Sequence, residues 1–337
     1  MLEPAVETQP RVEAVDADVF SRGLLRKLML PLVLAVLVYG GMLLYADAGA
    51  IMHHAGGVSA RVLVTGALLA SSNFVLRFFR WQYYLGHLGL RARVPTVDSA
   101  LLFVSGFAMS ITPGKLGEVI KSLLLKEAYS IPVARSAPIV LAERVTDLAA
   151  LLVLGTIGLS ALPNGALAAA ASLSLVVMLF GVCAWRPLGN AVIEVVTRIP
   201  RVRRLRGKLQ AAYDSLTTLM RPLPFAIGLS FAVVAWGLQC VSLNVIAWGF
   251  PGVTLSIRHG LLAYSAPLLA GALALIPGGL GVTEASMTGA IAALGGSEVT
   301  PSVAAAITIL TRLLSLWLAI ALGFSALALW RVRHPRT

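Results

Sequence analysis

One short motif occurs twice in this chain, as Pro113-Gly114-Lys115-Leu116-Gly117-Glu118 and as Pro277-Gly278-Gly279-Leu280-Gly281-Val282-Thr283-Glu284. Each copy interrupts an apolar run near its middle and brings a carboxylate into that run. An arginine follows at a similar distance in the next apolar segment, Arg144 in the first half and Arg312 in the second. A Pro-Gly break beside charge, repeated in both halves of a membrane protein, is typical of a binding site built from broken helices.

The composition of the whole chain indicates an integral membrane protein. Hydrophobic residues make up 58% of the chain and charged residues 12%, whereas a soluble domain carries about a quarter charged residues. The net charge of +12 comes from basic residues that lie mainly between apolar runs, where they orient a membrane protein, so nucleic-acid binding is not expected. The two cysteines, Cys183 and Cys240, lie in apolar runs, and the five histidines lack metal-ligand spacing. We therefore predict no disulfide framework, metal or cofactor.

The distribution of basic residues predicts the topology. Residues 1–21 form an acidic tail that we expect to be disordered, and residues 22–337 form a single membrane domain. The positive-inside rule places both termini in the cytoplasm. The first two crossings are joined by a nearly uncharged outer loop, Asp47–Ala60. The predicted crossings are Leu28–Ala46, Arg61–Trp81, Ser136–Leu159, Ala166–Trp185, Leu223–Phe250 and Pro301–Trp330.

The two Pro-Gly segments are predicted to enter and leave the membrane on the same side. If Val97–Tyr129 crossed as one kinked helix, Lys126 would lie outside, against the charge rule. A turn at Pro113-Gly114 avoids this, because proline ends the helical hydrogen-bond ladder and glycine accepts unusual dihedrals. The same reasoning makes Gly260–Leu294 a second hairpin, entering from the outside. The predicted fold is all-α, with six transmembrane helices plus two re-entrant helical hairpins arranged as an inverted repeat of about residues 22–160 and 161–337.

Charged and polar residues within these segments are the candidate substrate-binding residues, since intramembrane charge is costly and usually functional. Three groups are predicted: Lys115, Glu118 and Lys121 after the first break; Glu143, Arg144 and Asp147 in the next crossing; and Thr283, Glu284 and Arg312 in the second half.

Each group also has a structural interpretation. The first is compatible with a snorkelling amphipathic helix, the second with a charge pair that joins two helices, and the third with one internal salt bridge. Arg77 and Arg80, next to Trp81, are interpreted as an anchor at the cytoplasmic surface, with a first contact for lipid headgroups as the alternative.

Three motifs resemble the lysylphosphatidylglycerol synthase transmembrane-region family, which includes the flippase domain of the bacterial multiple peptide resistance factor. They are PGKLGE at 113–118, AERVTD at 142–147 and PGGLGVTE at 277–284. The resemblance spans nearly the whole chain after the tail and implies lipid translocation and a re-entrant architecture. It also implies that Glu118, Glu143, Arg144 and Glu284 occupy charged positions of the family. A soluble aminoacyl transferase domain is not recognised here, so synthesis of an aminoacylated lipid is not expected.

The expected function is a transporter, or flippase, that moves an anionic lipid headgroup across the membrane by alternating access. A phospholipid, a polyprenyl phosphate and a glycolipid are all candidate substrates. No nucleotide-binding loop, nucleophile elbow or metal motif is visible, so an enzyme is not predicted. The alternative is a membrane subunit or scaffold of a lipid-modifying enzyme, such as a polyprenyl-phosphate glycosyltransferase, which would make a separate synthase or glycosyltransferase a partner. The expected location is the cytoplasmic (inner) membrane of a bacterium.

Overall fold

The computed structural model describes residues 32–44, 46–112, 118–163, 165–184, 187, 191, 193–195 and 206–335. Every regular element in these ranges is helical, which confirms the predicted all-helical membrane fold. The acidic tail, the Pro113-Gly114 break and Lys115 lie outside the described residues. The helices are α1 (Leu32–Leu44), α2 (Ala48–Gly56), α3 (Ala60–His87), α4 (Thr96–Ser105), α5 (Ile120–Tyr129), α6 (Val133–Leu159), α7 (Gly165–Ala184), α8 (Arg206–Leu219), α9 (Pro222–Trp248), α10 (Ile257–Leu273), α11 (Val282–Leu294) and α12 (Pro301–Arg333).

Three of the described helices are long and apolar enough to cross a membrane, namely α3, α9 and α12. The pair α1 and α2 passes the same test together, but the two helices are bent by 92°. Helix α6 has 27 residues, and at about 1.5 Å per residue it exceeds the ~30 Å hydrocarbon core. Charged residues in its interior, the Glu-Arg-Asp cluster predicted above, distinguish α6 in composition from α3, α9 and α12.

The predicted outer loop Asp47–Ala60 is wrong, because most of it is helix α2. The carboxylate of Asp47 accepts hydrogen bonds from the backbone N–H groups of Gly49 and Ala50 at 2.9 and 3.3 Å. These are two of the unpaired donors at a helix start, so Asp47 is an N-cap. The low charge of the segment was the ground for placing it outside, which stays a prediction, whereas the cap at its start favours a helix.

The second Pro-Gly segment separates α10 from α11, which pack against each other. Gly278, Gly279 and Gly281 have φ values of 64°, 68° and 87°, a region that side chains with a Cβ rarely adopt. A Cβ added to Gly271 on α10 would lie 2.1 Å from Oγ1 of Thr283 on α11. Glycine is thus needed both to turn the chain and to bring the two helices together.

The helices of the two halves contact one another in a reciprocal pattern. Helix α3 packs against α9; α6 packs against α10, and α12 packs against α4 and the 3-10 turn Gly106–Met109 that follows it. The turns also meet, since a Cβ on Gly278 would lie 3.5 Å from the side chain of Ile111. Ile111, which follows the 3-10 turn Gly106–Met109, therefore lies against the Pro277–Gly279 break between α10 and α11.

Candidate functional site

A cavity of about 270 Å³ lies between α3, α6, α9, α10 and α12, and is also lined by Ser110, Thr112 and Thr283. Apolar side chains form much of its wall, including Phe74, Leu148, Leu151, Leu268 and Leu316. Its polar lining side chains are Asn73, Arg77, Ser110, Thr112, Arg144, Asp147, Trp236, Gln239, Tyr264, Thr283, Arg312 and Ser315.

Arg144 on α6 is shared between two carboxylates. Its Nη2 lies 3.1 Å from Oε2 of Glu118 and 3.1 Å from Oδ2 of Asp147. The pair with Asp147 follows from the i, i+3 spacing on one helix, whereas the pair with Glu118 joins α6 to the turn just before α5. The Arg144 side chain remains 16% exposed, and this exposed part faces the cavity that the residue lines.

Asp147 is surrounded by donors from three helices. Its Oδ1 lies 2.8 Å from Nη2 of Arg80 and accepts a hydrogen bond from the indole N–H of Trp236 at 3.0 Å. Its Oδ2 is approached by Arg144 and, at 3.8 Å, by Nη2 of Arg77. Three guanidinium groups thus surround one carboxylate, which leaves positive charge in excess at this wall of the cavity.

Arg77 has the longest ion-pair distances of these three arginines. Its Nε and Nη2 atoms make no hydrogen bond within the described part of the chain, and its nearest ion-pair contact beyond Asp147 is Glu118 at 3.9 Å. The guanidinium lies 5.2 Å from the ring centroid of Phe107 and 5.8 Å from that of Trp236. These aromatic faces hold a cation without consuming its N–H donors, so Arg77, which lines the cavity, keeps two donor atoms without a hydrogen-bond partner among the described residues.

A buried ion pair supports this wall from behind. The Nζ of Lys121 lies 2.6 Å from Oε2 of Glu143, and both side chains are inaccessible to solvent. Lys121 also lies 4.7 Å from the Trp81 ring centroid, and a Cβ on Gly106 would approach its side chain to 2.9 Å. Neither residue of the pair lines the cavity, so the pair fixes α5 to α6.

The second half supplies one ion pair to the site. Nε of Arg312 lies 2.6 Å from Oε1 of Glu284, and its Nη2 donates to the carbonyl oxygen of Gly278 at 3.0 Å. The other carboxylate oxygen of Glu284 accepts the N–H of Gly281 at 2.7 Å. Arg312 therefore fixes the glycine-rich break to α12. It is followed at once by a π-helical turn, Leu313–Trp317, a feature frequent at functional sites.

The assembled site is rich in cations and in free donors. Within the described residues its cations outnumber its carboxylates by one: Arg77, Arg80, Lys121, Arg144 and Arg312 against Glu118, Glu143, Asp147 and Glu284. The side-chain amides of Asn73 and Gln239 are buried, line the cavity and each has an N–H₂ group without a hydrogen-bond partner in the described chain. Buried donors of this kind fit a ligand that carries several acceptor oxygens and negative charge.

The cavity has an apolar mouth at the end of α10. Ala272 and Leu275 line the cavity and are also exposed, Leu275 to 66%. The neighbouring Leu273 is 80% exposed. The cavity is therefore bordered at this point by exposed apolar side chains.

Sequence comparisons place the chain among membrane proteins. Residues 32–323 match the family described as lysylphosphatidylglycerol synthase TM region. The chain belongs to this family. A "UPF0104 membrane protein" of Methanothermobacter thermautotrophicus is 24% identical over 282 residues, which cover 78% of this chain and 81% of that protein. Membership of the lysylphosphatidylglycerol synthase TM region family is consistent with a lipid-related role in the membrane.

The structure distributes the predicted site residues of this family member between two layers. Arg144, Asp147, Thr283 and Arg312 line the cavity, whereas Glu118, Lys121, Glu143 and Glu284 stand behind it as ion partners. The predicted residue Lys115 is outside the described part of the chain.

The interpretation of Arg77 and Arg80 as an anchor at the membrane surface is wrong. Arg77 is 5% exposed and Arg80 is completely buried, and both lie within the ion network. The sequence contains a partial signal of this position, because Asn73, Arg77 and Arg80 are spaced to share one face of an otherwise apolar helix. Trp236 and Gln239 were also missed, since an isolated tryptophan and glutamine in an apolar run carry no clear sequence signal.

Proposed function

We propose that this protein is a flippase that moves an anionic lipid across the membrane, with the headgroup phosphate held by Arg77, Arg144 and Arg312. The observation that carries the proposal is the cavity itself, which combines three arginines with an apolar mouth. The headgroup occupies the polar chamber while the hydrocarbon chain passes Ala272 and Leu275 into the bilayer. At about 270 Å³ the chamber is smaller than the roughly 300–1,000 Å³ of sites for drug-sized ligands, so it suits a phosphate with a small substituent.

The proposed architecture comprises six crossings and two re-entrant hairpins in an inverted repeat, with both termini in the cytoplasm of a bacterial inner membrane. The reciprocal packing supports it, because α6 on α10 and α12 on α4 are the contacts that exchange under an internal two-fold axis. Such an axis is typical of alternating-access transporters.

A residue-level correspondence between α6 and α12 supports the same repeat. Four pairs of cavity-lining residues are separated by one common interval: Arg144 and Arg312, Asp147 and Ser315, Leu148 and Leu316, and Leu151 and Ala319. Gly155 and Gly323 share this interval, and a Cβ on either would meet the opposite hairpin region, at Ser265 and Ala108. The two helices thus present the same register both to the cavity and to the other half.

The ion network suggests how a charged headgroup enters without a large electrostatic cost. Arg144 is held by Glu118 and Asp147, so the cation is not left unpaired at low dielectric, a state that would be strongly unfavourable. A phosphate that approaches Arg77 and Arg144 would replace one set of anionic oxygens by another. When the phosphate dissociates, the carboxylates pair with the arginines again. Such reversible exchange suits a transport site, which must bind and release its substrate.

The alternative is a membrane subunit or scaffold for a separate lipid-modifying synthase or glycosyltransferase. The description of the family as the TM region of a synthase favours this alternative. In that case the cavity would present a lipid to a partner enzyme, and movement between leaflets would not be required.

Reconstitution into liposomes separates these functions. The purified protein is expected to accelerate exchange of labelled phosphatidylglycerol between leaflets, and Arg144→Ala and Arg77→Ala each to reduce the rate at least ~10-fold, as loss of a charged hydrogen-bonding partner implies. Arg91→Ala, at an exposed arginine in a 3-10 turn, is the matched control and should leave the rate unchanged. Unaltered exchange in both site variants, or no exchange in the parent protein, would contradict the transporter assignment.

A further inference from the structure

The charges that line the cavity also bear on which headgroups it accepts. We propose that the site selects lipid headgroups whose phosphate carries no compensating positive charge and discriminates against headgroups that bear an ammonium group. The inference rests on the proposed function and narrows its substrate class. It sets this chain apart from the lysylated lipid that appears in the description of its family.

The first argument is the state of the cavity's carboxylate. Among the described lining residues, Asp147 is the single carboxylate, and it is already approached by Arg80 at 2.8 Å and Arg144 at 3.1 Å. A substrate ammonium brought to Asp147 would meet these guanidinium groups as well. Because like charges at low dielectric repel strongly, Asp147 cannot serve as the partner of an additional cation.

The second half of the repeat offers no other carboxylate that could pair with a substrate ammonium group, among the residues that the structure describes. The counterpart of Asp147 at the common interval is Ser315, which also lines the cavity and donates its hydroxyl to the carbonyl oxygen of Thr311 at 2.7 Å. Glu284 is buried and committed to Arg312 and to the N–H of Gly281. A cationic headgroup therefore finds no available carboxylate among the described residues of this wall either, and transfer of its charge from water would be uncompensated.

Aromatic rings are the remaining means of binding an ammonium group. Three of the described aromatic residues line the cavity, namely Phe74, Trp236 and Tyr264. The guanidinium of Arg77 already lies 5.8 Å from the ring centroid of Trp236 and 5.2 Å from that of Phe107, so the Trp236 ring is used to hold a protein cation. This arrangement favours an anion at the site and disfavours a second cation.

Transport of three labelled lipids by the reconstituted protein tests the inference. Phosphatidylglycerol and phosphatidylethanolamine have headgroups of similar size, but the second adds an ammonium group; lysyl-phosphatidylglycerol adds two. We expect phosphatidylglycerol to exchange at least ~10-fold faster than either of the others, since an unpaired buried charge costs more than the ~1.4 kcal/mol that a tenfold difference represents.

A second variant makes the test independent of headgroup shape. Gln239→Glu places a carboxylate on the cavity wall with little change in side-chain size, and it should lower the rate for phosphatidylglycerol and raise the ratio of phosphatidylethanolamine to phosphatidylglycerol. Gln239→Met removes the amide without adding charge and should leave that ratio near the parent value.

The outcomes distinguish the two proposals. Equal rates for all three lipids, or an unchanged ratio in Gln239→Glu, would overturn the headgroup selectivity while leaving the flippase assignment intact. Exchange of none of the lipids by a folded parent protein would overturn both.

Discussion

The ionisable residues of the ion network form two groups, those that line the cavity and those that are buried behind its wall. Arg77, Arg144 and Arg312 face it, whereas Lys121 and Glu143 form a fully buried pair that does not. The positions corresponding to this pair in the second half, beyond Glu284 and next to Arg312, are Met287 and Thr311, both buried. The two halves therefore hold a hairpin against the following helix with different chemistry at equivalent places.

This difference leads to a stability prediction. Lys121→Met leaves the Glu143 carboxylate buried without its partner and should destabilise the fold by about 3–5 kcal/mol. The double variant Lys121→Met, Glu143→Thr copies the second half and should recover most of that loss. Thermal unfolding in detergent, followed by near-ultraviolet circular dichroism, measures both, with Lys126→Met at an exposed position as the control. A double variant as unstable as the single one would contradict the equivalence of the two sites.

The sequence predicted most of the ionisable residues that form the ion network, but it did not predict which of them line the cavity and which lie behind it. Periodicity placed Glu143, Arg144 and Asp147 on one helix, and the motif repeat linked Glu118 with Glu284. Which of them face the cavity depends on the rotation of each helix about its own axis, which is set by packing between halves that are distant in sequence. Arg77 illustrates the limit, because basic residues near the end of an apolar run usually mark the membrane surface.

Among the elements, α12 approaches the backbone of the other half most closely at the 3-10 turn Gly106–Met109, among the described glycine contacts. A Cβ at Gly323 would lie 2.2 Å from the backbone nitrogen of Ala108. Backbone atoms cannot move aside as the end of a flexible side chain can. The small residue is thus a requirement of packing, in the same way that glycine permits close helix contacts elsewhere in membranes.

Substitution at this contact should be costly. Gly323→Ala is expected to destabilise the fold by about 1–3 kcal/mol, as overpacking of a close interface generally does, and to slow lipid exchange because the first hairpin is displaced. Gly86→Ala, in α3 with nothing within 4 Å of the added atom, should be neutral or slightly stabilising. The comparison uses thermal unfolding of both variants; equal midpoints would show that the contact is looser than described.

Helix boundaries also show what local sequence can and cannot predict. The start of α12 is specified by Thr300, whose hydroxyl accepts the N–H of Val303 at 3.3 Å, and by Pro301 at the first helical position, both recognisable helix-start signals. The π-helical turn in the same helix has no comparable local signal. It lies beside Arg312 and the cavity, where long-range contacts determine the backbone.

For the molecule as a whole, the proposed topology makes opposite predictions for the two hairpins. In a variant whose cysteines, Cys183 and Cys240, are replaced by alanine, Lys126→Cys should react with an impermeant thiol reagent only from the cytoplasmic side. Ser297→Cys, exposed after α11, should react only from the outside. Labelling of both from one side would rule out the inverted arrangement, and labelling of position 126 from the outside would replace the first hairpin by a crossing.

The mouth beside Leu275 has a consequence for how strongly the site needs to bind. A lipid that enters from the bilayer is confined to a thin layer, so its effective concentration at the mouth is far above that of the same molecule dispersed in water. Millimolar intrinsic affinity, about −4 kcal/mol, is then enough for the site to be occupied. Weak binding also lets the transported lipid dissociate quickly. An inhibitor would face the same geometry, and its potency would depend on partitioning into the membrane as much as on its fit to the three arginines.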